Sequence, residues 1–253
     1  MCPARVDGST RHSVMIQANC RARLTSNDFR FLVETLARKS ADVPSLESLL
    51  RDPEGLDQIL DHDRVFEAIL HRTDCLPVSP HLYFYVIARR ILRNAGIDDR
   101  SVADYLGAML AEFSQTKNLY QLPNRPEQQV EYISDLLAII SEAREEETFV
   151  VRAHIGNYTL FLTGIFPQRL RYRAKHKGAP NLSYYEDVGR INFRLLSDHA
   201  LARKRHLDEV FGCLGEQFRE IRLSLNQISE RFLHLDTDAG VDRALRLASG
   251  KFQ

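Results

Sequence analysis

The sequence predicts an all-α fold, a multi-helix bundle with a long C-terminal spine helix. Three observations carry this expectation. Apolar residues recur at spacings of three and four from residue 27 onward, helix caps and stops punctuate them repeatedly, and strand-like alternation is scarce. Residues 1–26 are basic and irregular and read as a disordered leader, which leaves 27–253 as a single all-helical domain.

Asn27 or Asp28 is placed to cap a first helix whose apolar positions are Phe31, Leu32 and Leu36. Short helices follow between Pro44 and Arg72, broken at Asp52-Pro53 and near Asp61. Ser79-Pro80 joins an N-cap to a proline at the first helical position, and Gly96 closes that helix where a left-handed residue is wanted. A helix over about Asp99–Ser114 uses Val102, Tyr105, Leu106, Met109, Leu110 and Phe113. Asn124 and Glu127 have capping-box spacing. The helix they would start presents Val130, Ile133, Leu137 and Ile140 before an acidic end at Glu145–Glu147. Residues 149–166 are apolar around much of a helical wheel and read as a buried helix, with a buried strand as the alternative. Pro167 and the stretch 177–180 bound a short basic linker, and Asn181 or Ser183 starts the next helix.

The spine is the clearest signal. Leu207, Phe211, Leu214, Phe218, Ile221, Leu225, Ile228, Phe232 and Leu235 are separated alternately by four and three residues. An unbroken helix over them would extend about 43 Å at 1.5 Å per residue. Flanking positions such as Asp208, Gly215, Gln217 and Ser224 lack the Glu/Lys pattern of a freestanding zipper. An intramolecular spine is therefore favoured, with self-association or a protein partner through 207–235 kept as the alternative.

Charge balances over the whole chain, at 34 basic and 34 acidic residues, but not along it. The segment 42–74 carries nine acidic and three basic residues, and 150–206 carries eleven basic and three acidic. Such polarity either pairs internally or steers a partner. Four scattered cysteines without a CxxC pair read as free thiols. With no apolar run long enough for a bilayer and no secretory core near the N-terminus, no membrane role is expected and a cytoplasmic location is.

Phosphate-loop, dinucleotide, nucleophile-elbow and zincin signatures are absent, and no metal or cofactor is assigned. The ligand-site candidates are His154, Asn157 and Tyr158 in the apolar 149–166 segment, with Tyr184, Tyr185, Glu186 and Arg190 in the next helix. A buried imidazole needs a partner, so His154 is either a hydrogen-bonded core residue or the lining of a pocket. Glu186 and Arg190 have the spacing of a helical ion pair. Anion or nucleic-acid contact is the second possibility. It would use Arg169, Arg171, Arg173, Lys175 and Lys177, interleaved with Tyr172 and His176, together with Arg203, Lys204 and Arg205.

The stretch HIGNYTLFLTGIFPQRL, followed by SYYEDVGR, resembles a segment of uncharacterised bacterial all-helical proteins of the form H-x-G-[DN]-x-x-L-F-x-x-G-x-F-P. The resemblance is clearest over about 150–200. It implies a bacterial source and a helical fold, and it carries no activity to any residue. The function expected is a helical binding or interaction protein, with a regulatory role as one option. A bundle enzyme with a His154-centred pocket and a nucleic-acid or anion binder are the alternatives, so whether the chain is an enzyme is left open.

Overall fold

A computed structural model describes residues 16–71, 78–114, 116–119, 121–122, 125–129 and 133–231. The described chain is helical nearly throughout. Its helices are α1 (Ser26–Leu36), α2 (Val43–Arg51), α3 (Pro53–Leu60), α4 (Asp63–His71), α5 (Pro80–Asn94), α6 (Arg100–Phe113), α7 (Ile133–Glu142), α8 (Glu145–Ile165), α9 (Pro167–Lys177), α10 (Leu182–Ser197), α11 (Ala200–Lys204), α12 (Asp208–Glu216) and α13 (Phe218–Arg231). One small antiparallel hairpin joins β1 (Gln121–Leu122) to β2 (Arg125–Gln129).

Local chemistry sets most boundaries. Ser79 accepts from the Leu82 N–H at 3.2 Å, Asp99 from Ser101 at 2.7 Å, and Asn181 from Tyr184 at 2.9 Å, each satisfying a donor with no intrahelical partner. Gly96 (φ 82°) and Gly178 (φ 63°) stop α5 and α9 in the left-handed region that glycine tolerates.

Five expectations are corrected. The first helix is capped by Thr25 in a reciprocal capping box with Asp28, not by Asn27 or Asp28. The expected leader boundary at residue 26 also fails, because Cys20 is fully buried and the Arg21 N–H donates to Asp104 at 2.9 Å; residues 1–15 lie outside the described chain. Glu127 sits in β2 rather than a cap, while Asn124 and Val130 are not described. The acidic run Glu145–Glu147 forms the first turn of α8, where negative charge complements the helix dipole, instead of ending α7. Finally, the basic stretch 169–177 is helix α9, not a linker.

The centre of the fold is α8. Every residue from Ala153 to Ile165 is buried, and α6, α7, α9, α10 and α13 pack around it. Thr159 and Thr163 return their hydroxyls to the Ile155 and Thr159 carbonyls at 2.8 and 2.7 Å, so neither is left unpaired in apolar surroundings. Glycines permit the close crossings. A Cβ on Gly156 would stand 2.8 Å from the Phe193 ring, and one on Gly189 would stand 2.4 Å from Thr159 Oγ1.

From Leu207 to Leu225 the spine residues are buried inside their own chain, but they do not lie on one long helix. Gln217 separates α12 from α13, and Leu207 precedes α12 as its N-cap. Leu207, Phe211, Leu214, Phe218, Ile221 and Leu225 are all buried; Phe211 stacks on Phe193 at 5.9 Å and meets Tyr105 edge-on at 5.6 Å. Because the break spans one residue, the four-residue step from Leu214 to Phe218 survives while the helix is interrupted. The side chain of Ile228, and Phe232 and Leu235, lie outside the described side chains.

Three carboxylates of the acidic 42–74 segment, Asp57, Asp61 and Asp63, pair with arginines of the N-terminal half and not with the basic 150–206 segment. Asp57 binds Arg21 and Arg100 at 2.8 and 2.9 Å, and Asp61 binds Arg89 and Arg100 at 3.1 and 2.8 Å. Asp63 pairs with Arg90. These contacts tie α3 and α4 to the α5–α6 hairpin.

Candidate interaction surface

His154 lies on the face of α8 turned toward α6. It meets Phe113 edge-on at 5.9 Å, stacks with Tyr158 at 6.2 Å and hydrogen-bonds the Leu119 backbone. Burial disfavours the imidazolium and pulls its pKa down to about 4, although the Leu119 bond opposes the shift. Asn157, one turn on, accepts the Tyr105 hydroxyl at 3.0 Å. All three candidates on α8 are buried among core side chains.

The α10 candidates lie elsewhere. The helix reaches α8 through Gly156 and Thr159, about half a turn away from His154 at 100° per residue. Tyr185 is within electrostatic reach of Arg173 on α9, which works against the upward shift that burial imposes on its phenol. Glu186 pairs with the buried Arg222 of α13 at 2.6 Å, while Arg190 pairs with Asp187 at 2.8 Å. The expected Glu186–Arg190 pair is therefore replaced by two others. His154 and Tyr158 thus lie against each other beside Phe113, whereas the contacts of Tyr185, Glu186 and Arg190 run to α9, to α13 and along α10 itself.

Nor do the basic clusters merge. On α9, Arg171, Lys175 and Lys177 are exposed, Arg169 and Arg173 are half-buried, and Tyr172 lies against His176 at 4.6 Å. Arg203 and Lys204 end α11 and Arg205 is its C-cap; Arg205 lies over Phe149, in the second turn of α8. Since α9 begins beyond the other end of α8, about 26 Å of helix separates the clusters.

Sequence reasoning missed two surface features. Phe29 and Val33 of α1 with Val43 and Leu50 of α2 line an open groove of about 630 Å³, rimmed by Arg30, Glu34, Glu47 and Arg51. The second is a stripe along α10. Tyr184, Ile191 and Leu195 are 40%, 52% and 48% exposed, and half-buried Val188 completes a four–three–four spacing. Val188 packs on a small apolar cluster that includes Leu136, Ile139, Val151 and Ile155. The stripe therefore continues outward from the core. The opposite side of α10 is occupied: Gly189 faces Thr159 and Phe218, and Phe193 faces Gly156 and Phe211. The spacing was readable in the sequence, but which apolar residues of α10 would be covered was not.

Other exposed apolar residues, such as Leu49, Leu137 and Leu223, stand singly on their helices, as is ordinary for protein surfaces. No helix among the described residues is long and apolar enough to cross a membrane, and no group of side chains there is placed to hold a metal ion. Compared with protein-family models, curated proteins and solved structures, the chain matches none.

Proposed function

We propose that this protein is a helical interaction module that receives a partner helix along the outer stripe of α10. The observation behind this reading is the stripe itself: three large apolar side chains in heptad register, held in water on a helix whose other face is committed to the core. A rigid amphipathic face of this type is a common way to recognise a helix, through anchors at i, i+4, i+7 and i+11. Exposed apolar residues aligned on one element cost solubility, and covering them recovers their transfer free energy.

The alternatives draw less support. Among the described residues the His154 imidazole meets Phe113, Tyr158 and the Leu119 backbone rather than a second acid or base, and nucleic-acid contact would have to span separated basic clusters. A cytoplasmic setting accords with free thiols at Cys20 and Cys213.

The test places a photo-crosslinking residue at position 191 in the full chain, with position 223 on α13 as the control. A discrete adduct formed at 191, absent at 223 and lost when Leu195→Glu is added, is the expected result. Adducts that form equally at both positions, or at neither, would remove α10 as the docking face.

A further inference from the structure

Building on the reading of α10 as a docking face, we infer that its occupant is α10 of a second copy of this chain, laid antiparallel across a two-fold axis. The pattern is self-complementary. In an antiparallel pair, one register sets Tyr184 opposite Leu195 of the second copy and Val188 opposite Ile191, with the reciprocal contacts supplied by symmetry. That register closes every apolar layer of the stripe with no polar residue between layers.

Charge selects the same arrangement. Asp187 and Arg194 flank the stripe on one side, one heptad apart. In the register that closes the apolar layers, Asp187 of one copy falls beside Arg194 of the other, and symmetry makes the contact twice. The stem of Arg194 lies against Gly215 of α12, which leaves its guanidinium end to take this role. Arg194 is exposed and makes no ion pair or side-chain hydrogen bond among the described residues. Among the described residues Asp187 is engaged by Arg190 alone, three residues along, in a pair whose members are 47% and 55% exposed. An exposed pair of this type is worth little and exchanges readily. The other flank carries Tyr185 and Asn192, which face their own subunit; Asn192 is buried and accepts from Arg152 at 3.1 Å. A parallel pairing would turn Asp187 toward Asn192 of the second copy, where no charge awaits it. Antiparallel helices also set their dipoles head to tail.

The contact is small. Sixteen residues of α10 span about 24 Å, so the dimer should be reversible and concentration-dependent.

The experiment is sedimentation velocity on the purified full chain from about 1 to about 300 µM, a range that brackets the affinity of a small interface. The set comprises wild type, Ile191→Glu, Asp187→Arg, Arg194→Asp and the Asp187→Arg/Arg194→Asp double variant, with circular dichroism confirming that each is folded. The expected result is a monomer–dimer equilibrium abolished by Ile191→Glu. Either single charge reversal should weaken it by about tenfold, and the double variant should restore it. A dimer indifferent to these substitutions, or single-variant losses that the double variant fails to rescue, would overturn the antiparallel pairing. Wild type that stays monomeric throughout would also overturn it. In that case an adduct from position 191 to a different protein preserves α10 as a docking face, whereas no adduct removes both readings.

Discussion

His154 makes the stability of this protein depend on pH in a calculable way. In the unfolded chain the imidazole titrates near the ordinary value of 6.5, whereas in the fold burial lowers it to about 4. Between those values the unfolded state binds a proton that the native state refuses. Stability therefore falls as pH falls through this window and levels off below it. The gap corresponds to about 3 kcal/mol over the window, or about 1.4 kcal/mol per pH unit within it. His81, lowered chiefly by burial, acts in the same direction, and Asp104, raised chiefly by burial, acts in the opposite one. The His154 contribution is isolated by subtraction. Urea unfolding of wild type and His154→Gln is followed from pH 7.5 to 4, because glutamine keeps a hydrogen-bond donor but does not titrate. The stability of wild type relative to the variant should drop by about 3 kcal/mol across that range, a relative midpoint shift of about 1 M urea for a slope of about 3 kcal/mol/M. The His154 ring signals in NMR should titrate near pH 4. A flat difference between pH 6.5 and 4.5, or a ring that titrates near 6.5, would refute the reasoning and place the imidazole in contact with water.

Two glycines should respond with opposite signs. Gly189→Ala drives a methyl into Thr159 and Phe218 and should destabilise by about 1–3 kcal/mol. Gly212→Ala meets nothing nearer than Ser197 Cβ at 3.9 Å and should stabilise by up to about 1 kcal/mol, both read by chemical denaturation. Asn226→Ala should cost about 1–2 kcal/mol in the same assay, since the Asn226 amide donates to the Thr163 and Gly164 carbonyls at the end of α8. Asp61→Ala removes a carboxylate shared by Arg89 and Arg100 and strands the buried Arg89 with only Asp98; a loss of about 3 kcal/mol is expected, visible as a lowered thermal midpoint.

The sequence by itself determined the features that depend on near neighbours. Ser79-Pro80, Asp99, Asn181 and Gly96 act within one turn of their own backbone, so their chemistry marks helix ends wherever the helices finally lie. Apolar spacing likewise identified α8 as a buried helix and marked the spine residues for burial, because the 3.6-residue period places them on one side. Contacts between distant segments were decided only in the tertiary structure. The spine residues and the α10 stripe share the same kind of spacing, yet Phe211 and Leu214 are covered while Ile191 and Leu195 are not. That difference arises from which side of each helix meets its neighbours, and no local period encodes it. Tertiary packing also turned His154 away from α10, gave Glu186 to Arg222, and brought Arg21, Arg89 and Arg100 to the acidic α3. Charge partners are chosen by proximity across helices, whereas the sequence fixes only their spacing along one.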